Sequence, residues 1–441
     1  MAKSHTAAPP ADATAAGHGS VGLFGATALV AGSMIGSGIY LLPATLGAVG
    51  SVSILGWLAA TAAALAIAGM FAWLGVAAPL AKGLPGYVEA GLGPFFGVQI
   101  AVAYWATNWI GTAAIALAVA GAAGFLMPAL AEPGARLLIT LAAIWLAVGA
   151  AWIGPRAVAR VEGLTLALGL LPVLIAATLG WLAFNPSTFI ASWNPKGLSI
   201  GAAVGASALN AFWAFLGVEC AAATAGVVRN PTRNVPRATL IGVIAVAALY
   251  IGACTVLMGI LPATALARSS APFAQAGQAS LGVGLAAIIA VCALLRAQGC
   301  VTGWVLVTSE TTRSGADVGV FPSAFRTRPG EHASAINLVA AGGLMSFMTV
   351  LTASPTLGQQ FGFLANVSVL LGLYSYALAG GSLIRLSGGL TPGRRLAARA
   401  TAVTAIGACV TLIFTGKLIE LAFCAGAITV AGLLYLSLQR R

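Results

Sequence analysis

GSMIGSGIYLLPA (32–44) and FWAFLGVE (212–219) decide how this chain is read. Each lies near the middle of an apolar stretch long enough to cross a bilayer, and each carries residues a spanning helix would not choose. Ser33, Gly36, Ser37 and Gly38 interrupt the first stretch; Gly217 and Glu219 interrupt the second. A break in a membrane helix exposes N–H and C=O groups that lipid cannot satisfy, so it must face a cavity, a neighbour or a ligand. Interruptions at corresponding positions of two halves are the sequence mark of an inverted repeat built around a midplane binding site.

Outward from these two stretches, the chain reads as membrane protein. Of 441 residues, 60% are hydrophobic and 7% charged, with a mean hydropathy of +0.99. A soluble domain carries about 25% charged residues, so lipid must solvate most of this chain. Apolar segments predict twelve spans, at 22–47, 51–79, 94–128, 136–154, 160–183, 201–226, 237–262, 281–311, 334–354, 360–386, 398–416 and 419–438. The fold expected is all-α and integral to the membrane. Spans 1–5 (22–183) and 6–10 (201–386) form a LeuT-like 5+5 inverted repeat, spans 1 and 6 are discontinuous, and two further helices (398–438) follow.

The formal net charge of +12 is a topology signal and not a nucleic-acid patch. With loops assigned alternately to two sides, one side holds only Arg136, Lys196, Arg268 and Lys417. The other loop cations, from Lys3 and Lys82 to Arg440 and Arg441, collect opposite, which puts both termini in the cytoplasm. Residues 1–19 read as a disordered cytoplasmic tail ahead of a transporter domain at 20–441. Cys220, Cys254, Cys292, Cys300, Cys409 and Cys424 fall inside spans without metal spacing, and His5, His18 and His332 lie in the tail and a loop. No metal or cofactor is expected, and no HExxH, phosphate-loop or nucleophile-elbow pattern suggests an enzyme.

After Gly38 a second half-helix begins, whose free N–H groups and positive dipole end suit a carboxylate. The carbonyls ahead of the sixth-span break can accept from an ammonium. A molecule with both groups, an amino acid, fits that pair, although a GxG stretch also allows close helix packing. Glu219 is a candidate proton- or cation-linked gate, or a structural carboxylate bonded to a neighbouring helix. Arg296 in span eight could pair with a carboxylate, hold an exposed carbonyl or meet an anion. The residues 310–331 read as a loop flank. Tyr104, Trp105, Trp109, Trp213, Trp304 and Tyr376 lie in spans, where most aromatics pack and some enclose a cation.

Four stretches, GSMIGSGIYLLPA (32–44), GPFFGVQIAVAYW (93–105), SWNPKGL (192–198) and FWAFLGVECAAATAGVVRNPTRNVPRAT (212–239), resemble the amino acid–polyamine–organocation superfamily. The resemblance is closest to the bacterial basic amino acid/polyamine antiporters, and among them to the arginine/agmatine exchangers. It implies substrate contacts from Ser33, Met34, Gly36, Ser37, Gly38, Thr107, Asn108, Thr112, Trp213, Ala214, Trp304 and Ser368. It implies gating or proton-linked roles for Tyr87, Tyr104, Glu219 and Tyr376. The function implied is exchange of a basic amino acid for its decarboxylated amine across a bacterial inner membrane, arginine for agmatine, in support of acid resistance. The alternative is a proton-coupled permease or exporter of the same superfamily. Departures fall where substrate is read: Ser33 stands for an asparagine, Thr107, Asn108 and Thr112 for alanine, cysteine and asparagine, Ala214 for a serine, and Arg296 for a small residue. The implied partners are small amino acids and amines and the lipid bilayer, with no nucleic acid. A homodimer is compatible with the resemblance, though no dimer motif is present.

Overall fold

A computed structural model describes residues 21–79, 81, 83–219, 228–328, 331 and 333–438. The expected tail, Lys82, Cys220, His332, Arg440 and Arg441 lie outside the described residues. Among the described residues the chain is helical, with a single parallel bridge between Val21 and Val228. The reason is solvent. A chain this apolar satisfies its backbone in lipid by bonding each N–H within its own helix.

The first span is split. Helix α1 (Leu23–Met34) ends at Ile35 and Gly36, a 3-10 turn covers Ser37–Tyr40, and α2 (Leu42–Gly47) completes it with the axis turned by 55°. There follow α3 (Ser53–Ala77), α4 (Gly83–Leu92), α5 (Pro94–Leu126), α6 (Pro133–Ile153), α7 (Pro155–Ala177), the short α8 (Pro186–Ala191) and α9 (Ile200–Phe212). Helix α9 gives way to a 3-10 turn, Trp213–Phe215, then to extended Leu216 and to Gly217 at φ +103°. The second half comprises α10 (Pro231–Ile260), α11 (Ala263–Arg268), α12 (Pro272–Leu281), α13 (Val283–Asp317), α14 (Ala335–Leu351) and α15 (Leu357–Leu386). Helices α16 (Pro392–Ile413) and α17 (Leu418–Leu438) close the chain. Proline opens α5, α6, α7, α10 and α16, where its missing N–H costs nothing.

Among the described residues nine helices are long and apolar enough to cross a membrane, or ten when the bent first pair counts as one. Residues 200–215 and α14 are shorter apolar helices. Packing between the halves is reciprocal. Helix α1 lies on α10 while α9 lies on α3; α5 contacts α15 while α13 contacts α7; and α5 and α13 pack on each other. Helix α5 is buried along most of its length, whereas α17 is largely exposed, as an outer helix facing lipid would be. Glu420, Cys424 and Ala431 are its buried residues, and the Glu420 carboxylate accepts from Asn366 Nδ2 on α15 (3.0 Å) and from the Lys417 N–H (2.9 Å).

Several expected boundaries move, among them the starts of spans seven and eleven, at Pro231 and Pro392 and not at 237 and 398. Span five begins at Pro155 and not at 160, because Gly154 turns the chain at φ +127° and the proline starts the helix. The loop flank expected from Glu310 is helical as far as Asp317. Arg313 pairs with Glu310 three residues back (2.6 Å) and Asp317 four residues on (3.1 Å), the spacing that supports a solvated helix end.

The α3–α9 contact is set by Gly56: a Cβ there would lie 2.1 Å from Ser207 Oγ and 2.7 Å from the Ala208 backbone nitrogen. Gly56→Val is therefore expected to lower the melting temperature of the purified protein in detergent. Gly284→Ala, which points into open space, is expected to leave it unchanged.

Candidate substrate-binding site

The break in the first helix meets the turn that ends α9. Ser33 Oγ donates to the Val30 carbonyl (2.8 Å) and reaches the Gly217 carbonyl at 3.1 Å. A Cβ on Gly217 would come within 2.7 Å of the Ser33 carbonyl oxygen, so only glycine allows this approach at that φ. Two of the carbonyls freed by the first break are bonded by side chains. Met34 O accepts from Tyr250 OH (3.4 Å), and Ile35 O accepts from Arg296 Nη2 (2.9 Å). The first N–H groups of the 3-10 turn beginning at Ser37 have no helical partner by construction, and Gly36 provides no side-chain cap.

A cavity with ≈ 610 Å³ of empty space lies against these ends. Ser33, Met34, Gly36 and Gly38 line it from the first break, and Trp213, Leu216, Gly217 and Glu219 from the second. Helix α5 contributes Tyr104, Thr107, Asn108, Gly111 and Ile115; α13 contributes Trp304; α15 contributes Gly372 and Tyr376. Trp213 lies across two glycines. A Cβ on Gly38 would sit 1.9 Å from its indole nitrogen, and one on Gly111 would sit 3.2 Å from its Cη2. Its outer edge meets Phe361 with ring centroids 5.7 Å apart.

Glu219 is 9% exposed and its carboxylate joins three elements. Oε2 accepts from Tyr376 OH on α15 (2.5 Å) and from the Gly217 N–H at the break (3.1 Å), and Oε1 accepts from Tyr104 OH on α5 (3.2 Å). Charge-assisted bonds of this kind are worth about twice a neutral one, so the carboxylate fixes the second break against both neighbouring helices.

The sequence-predicted residues divide accordingly. Ser33, Met34, Gly36, Gly38, Thr107, Asn108, Trp213, Trp304, Tyr104, Glu219 and Tyr376 come together around one cavity. Thr112, Ala214, Ser368 and Tyr87 do not line it. Thr112 donates to the Asn108 carbonyl (2.7 Å), Ser368 to the Leu364 carbonyl (3.0 Å), Ala214 is buried, and Tyr87 is buried on α4. The Ser37 side chain lies outside the described residues. Trp105 donates to Thr312 Oγ1 (2.8 Å) and packs on Trp109 and Phe321, a structural use of both tryptophans. Gly111, Ile115, Leu216 and Gly372 were missed. Positions 104, 107, 108, 111 and 115 follow helical spacing, so the face of α5 could have been extended from Tyr104 by period alone.

Chemically, the cavity offers backbone N–H groups at one break, two tryptophan faces and a carboxylate at the other. It can hold an anionic group at Gly36–Gly38 and a cationic group beside Trp213, Trp304 and Glu219. Among the described residues no cluster of three His, Cys, Asp or Glu side chains could hold a metal. A cavity between the break of the first helix and the turn that ends α9, set among long apolar helices, fits a membrane carrier.

Comparison with known proteins narrows the class. Residues 21–430 match the family described as amino acid permease, and the chain belongs to that family, within the amino acid–polyamine–organocation superfamily. It is 32% identical over 375 residues to the cadaverine/lysine antiporter of Escherichia coli K12, covering 83% of this chain and 84% of that one. It is 31% identical over 364 residues to the putrescine transporter PotE of the same organism, covering 82% and 83%. PotE of Haemophilus influenzae is 30% identical over 359 residues, covering 81% and 82%. The protein is thus a multi-pass membrane transporter and not an enzyme.

Because Tyr376 supplies the shortest of the three donors to Glu219, Tyr376→Phe is expected to cut transport in proteoliposomes about tenfold or more, the scale of one lost bond to a buried charge. Tyr87→Phe, away from the cavity, is expected to transport at the wild-type rate.

Proposed function

We propose that this transporter exchanges a basic amino acid for its decarboxylated amine by alternating access. The observation that carries the reading is that the first break, at Gly36 and Gly38, and Glu219 line one cavity. An amino acid with a cationic side chain has groups for both ends. Its amine keeps the cation and loses the carboxylate, so both forms are held at Glu219 and the tryptophans. The relatives' names support this class of substrate, being a cadaverine/lysine antiporter and putrescine transporters. Arginine with agmatine is the pair to which the motif resemblance points; lysine with cadaverine is the competing pair.

In the proposed arrangement α9 with its 3-10 turn and α14 also span, giving twelve spans, and the halves are related as a 5+5 inverted repeat. Its support is the reciprocal packing of α1 on α10 and α9 on α3. Both termini face the cytoplasm of a bacterial inner membrane, on the distribution of loop cations. Strict exchange follows if the empty carrier does not reorient, so that substrate binding energy is needed to cross. Coupled to a decarboxylase that consumes a proton in the cytoplasm, the cycle removes one proton equivalent and supports acid resistance.

The test is uptake of labelled arginine or lysine into proteoliposomes preloaded with arginine, agmatine, lysine, cadaverine, ornithine, putrescine, a neutral amino acid or nothing. Uptake that requires an internal basic substrate is expected, and the preferred internal partner names the pair. Uptake into empty vesicles driven by an inward proton gradient would instead establish a proton-coupled permease. Trp213→Ala and Trp304→Leu are each expected to reduce exchange at least tenfold with the protein still folded, and unchanged flux in both would remove the cavity from the transport path.

A further inference from the structure

Arg296 and Glu162 form a second charged feature behind the first break, apart from the cavity residues assigned above. Arg296 lies on α13 and is 4% exposed, and its Nη2 bonds the carbonyl of Ile35, the residue just before Gly36. Its Nη1 is buried without a hydrogen-bond partner, and the nearest anion is Glu162 Oε1 on α7 at 3.8 Å. The Glu162 side chain is 40% exposed and faces a second cavity of ≈ 600 Å³. Ser33, Gly36, Tyr104 and Trp304 are walls of both cavities.

The antiparallel seam between α7 and α13 is cut to hold this pair. A Cβ on Gly169 would lie 2.2 Å from Arg296 Cβ, and one on Gly303 would lie 2.2 Å from Glu162 Oε2. One on Gly299 would lie 1.8 Å from Thr165 Oγ1. Gly303 immediately precedes Trp304. Both charges are therefore locked into notches beside the break.

The two charges are not equally felt. The guanidinium is 4% exposed and bonded to the carbonyl one residue before Gly36, so its field reaches the N–H groups there less screened than that of an exposed charge. The carboxylate is farther from the break and partly hydrated, so it offsets only part of that field. We infer that Arg296 sets the preference of the site for the carboxylated over the decarboxylated substrate, and that Glu162 opposes it. This rests on the exchange proposed above. An amino acid and its amine of equal length differ only by the carboxylate, the group expected at Gly36–Gly38. Arg296 favours the form that carries it and disfavours a second cation there.

The experiment measures competition by unlabelled lysine and cadaverine, and by arginine and agmatine, for labelled substrate in proteoliposomes. The quantity read is the inhibition constant of the amine divided by that of its amino acid. Arg296→Gln keeps a donor for the Ile35 carbonyl and removes the charge; the ratio is expected to fall about fivefold or more. Arg296→Lys is expected to keep it near wild type. Glu162→Gln removes the opposing charge, and the ratio is expected to rise at least about twofold. A merely structural pair would move both ligands alike, or both variants in the same direction, and either result overturns the inference. If Arg296→Gln does not fold, Glu162→Gln decides alone, since an unmoved or lowered ratio there contradicts it. Failure of wild-type protein to exchange any pair would defeat the exchange reading and this one together, whereas exchange with unmoved ratios defeats this one only.

Discussion

The peptide groups released by the two helix breaks have no water to turn to, and each left unpaired in hydrocarbon costs several kcal/mol. The chain meets this constraint by setting the breaks against each other and against three side chains. Ser33 reaches the Gly217 carbonyl, Tyr250 bonds the Met34 carbonyl and Arg296 bonds the Ile35 carbonyl. The first N–H groups of the turn that starts at Ser37 are left without helical partners. Those donors give the cavity an end that can accept an anion before any substrate is considered.

At the other break Glu219 collects a backbone N–H and two tyrosine hydroxyls, from α5 and α15. Any movement of α15 against α5, or of the Gly217 turn, must stretch one of these bonds. The carboxylate is thereby a mechanical link among three elements and, in the proposed exchange, the contact for the cationic end. Trp213 occupies a slot that exists only because Gly38 and Gly111 lack side chains, so the first break, the second break and α5 are shaped as one unit.

Much of this was legible in the sequence, because lipid makes polar and small residues conspicuous. Ser33, Gly36, Gly38, Gly217 and Glu219 stand out against their apolar surroundings, and the breaks fall where they do. Less visible was whatever depends on rotation about a helix. Thr112, implied by the resemblance, turns away to bond the Asn108 carbonyl, while its neighbour Gly111 lines the cavity. Ser368 is one polar residue of α15 that spends its hydroxyl on its own helix. Glu162 and Glu420 lie near span ends, where a carboxylate looks solvated. Their partners, Arg296 and Asn366, sit more than fifty positions away in the chain. Arg296 was flagged with three roles open, and the contacts observed are a carbonyl and a carboxylate.

The most direct measurement is an experimental structure of the protein determined in saturating lysine or arginine. The expected result is ligand density in the central cavity, with its carboxylate within hydrogen-bond distance of the N–H groups at Gly36–Gly38 and its cationic end against Trp213, Trp304 or Glu219. Ligand density bound elsewhere, or a continuous first helix with no exposed N–H groups, would contradict the account.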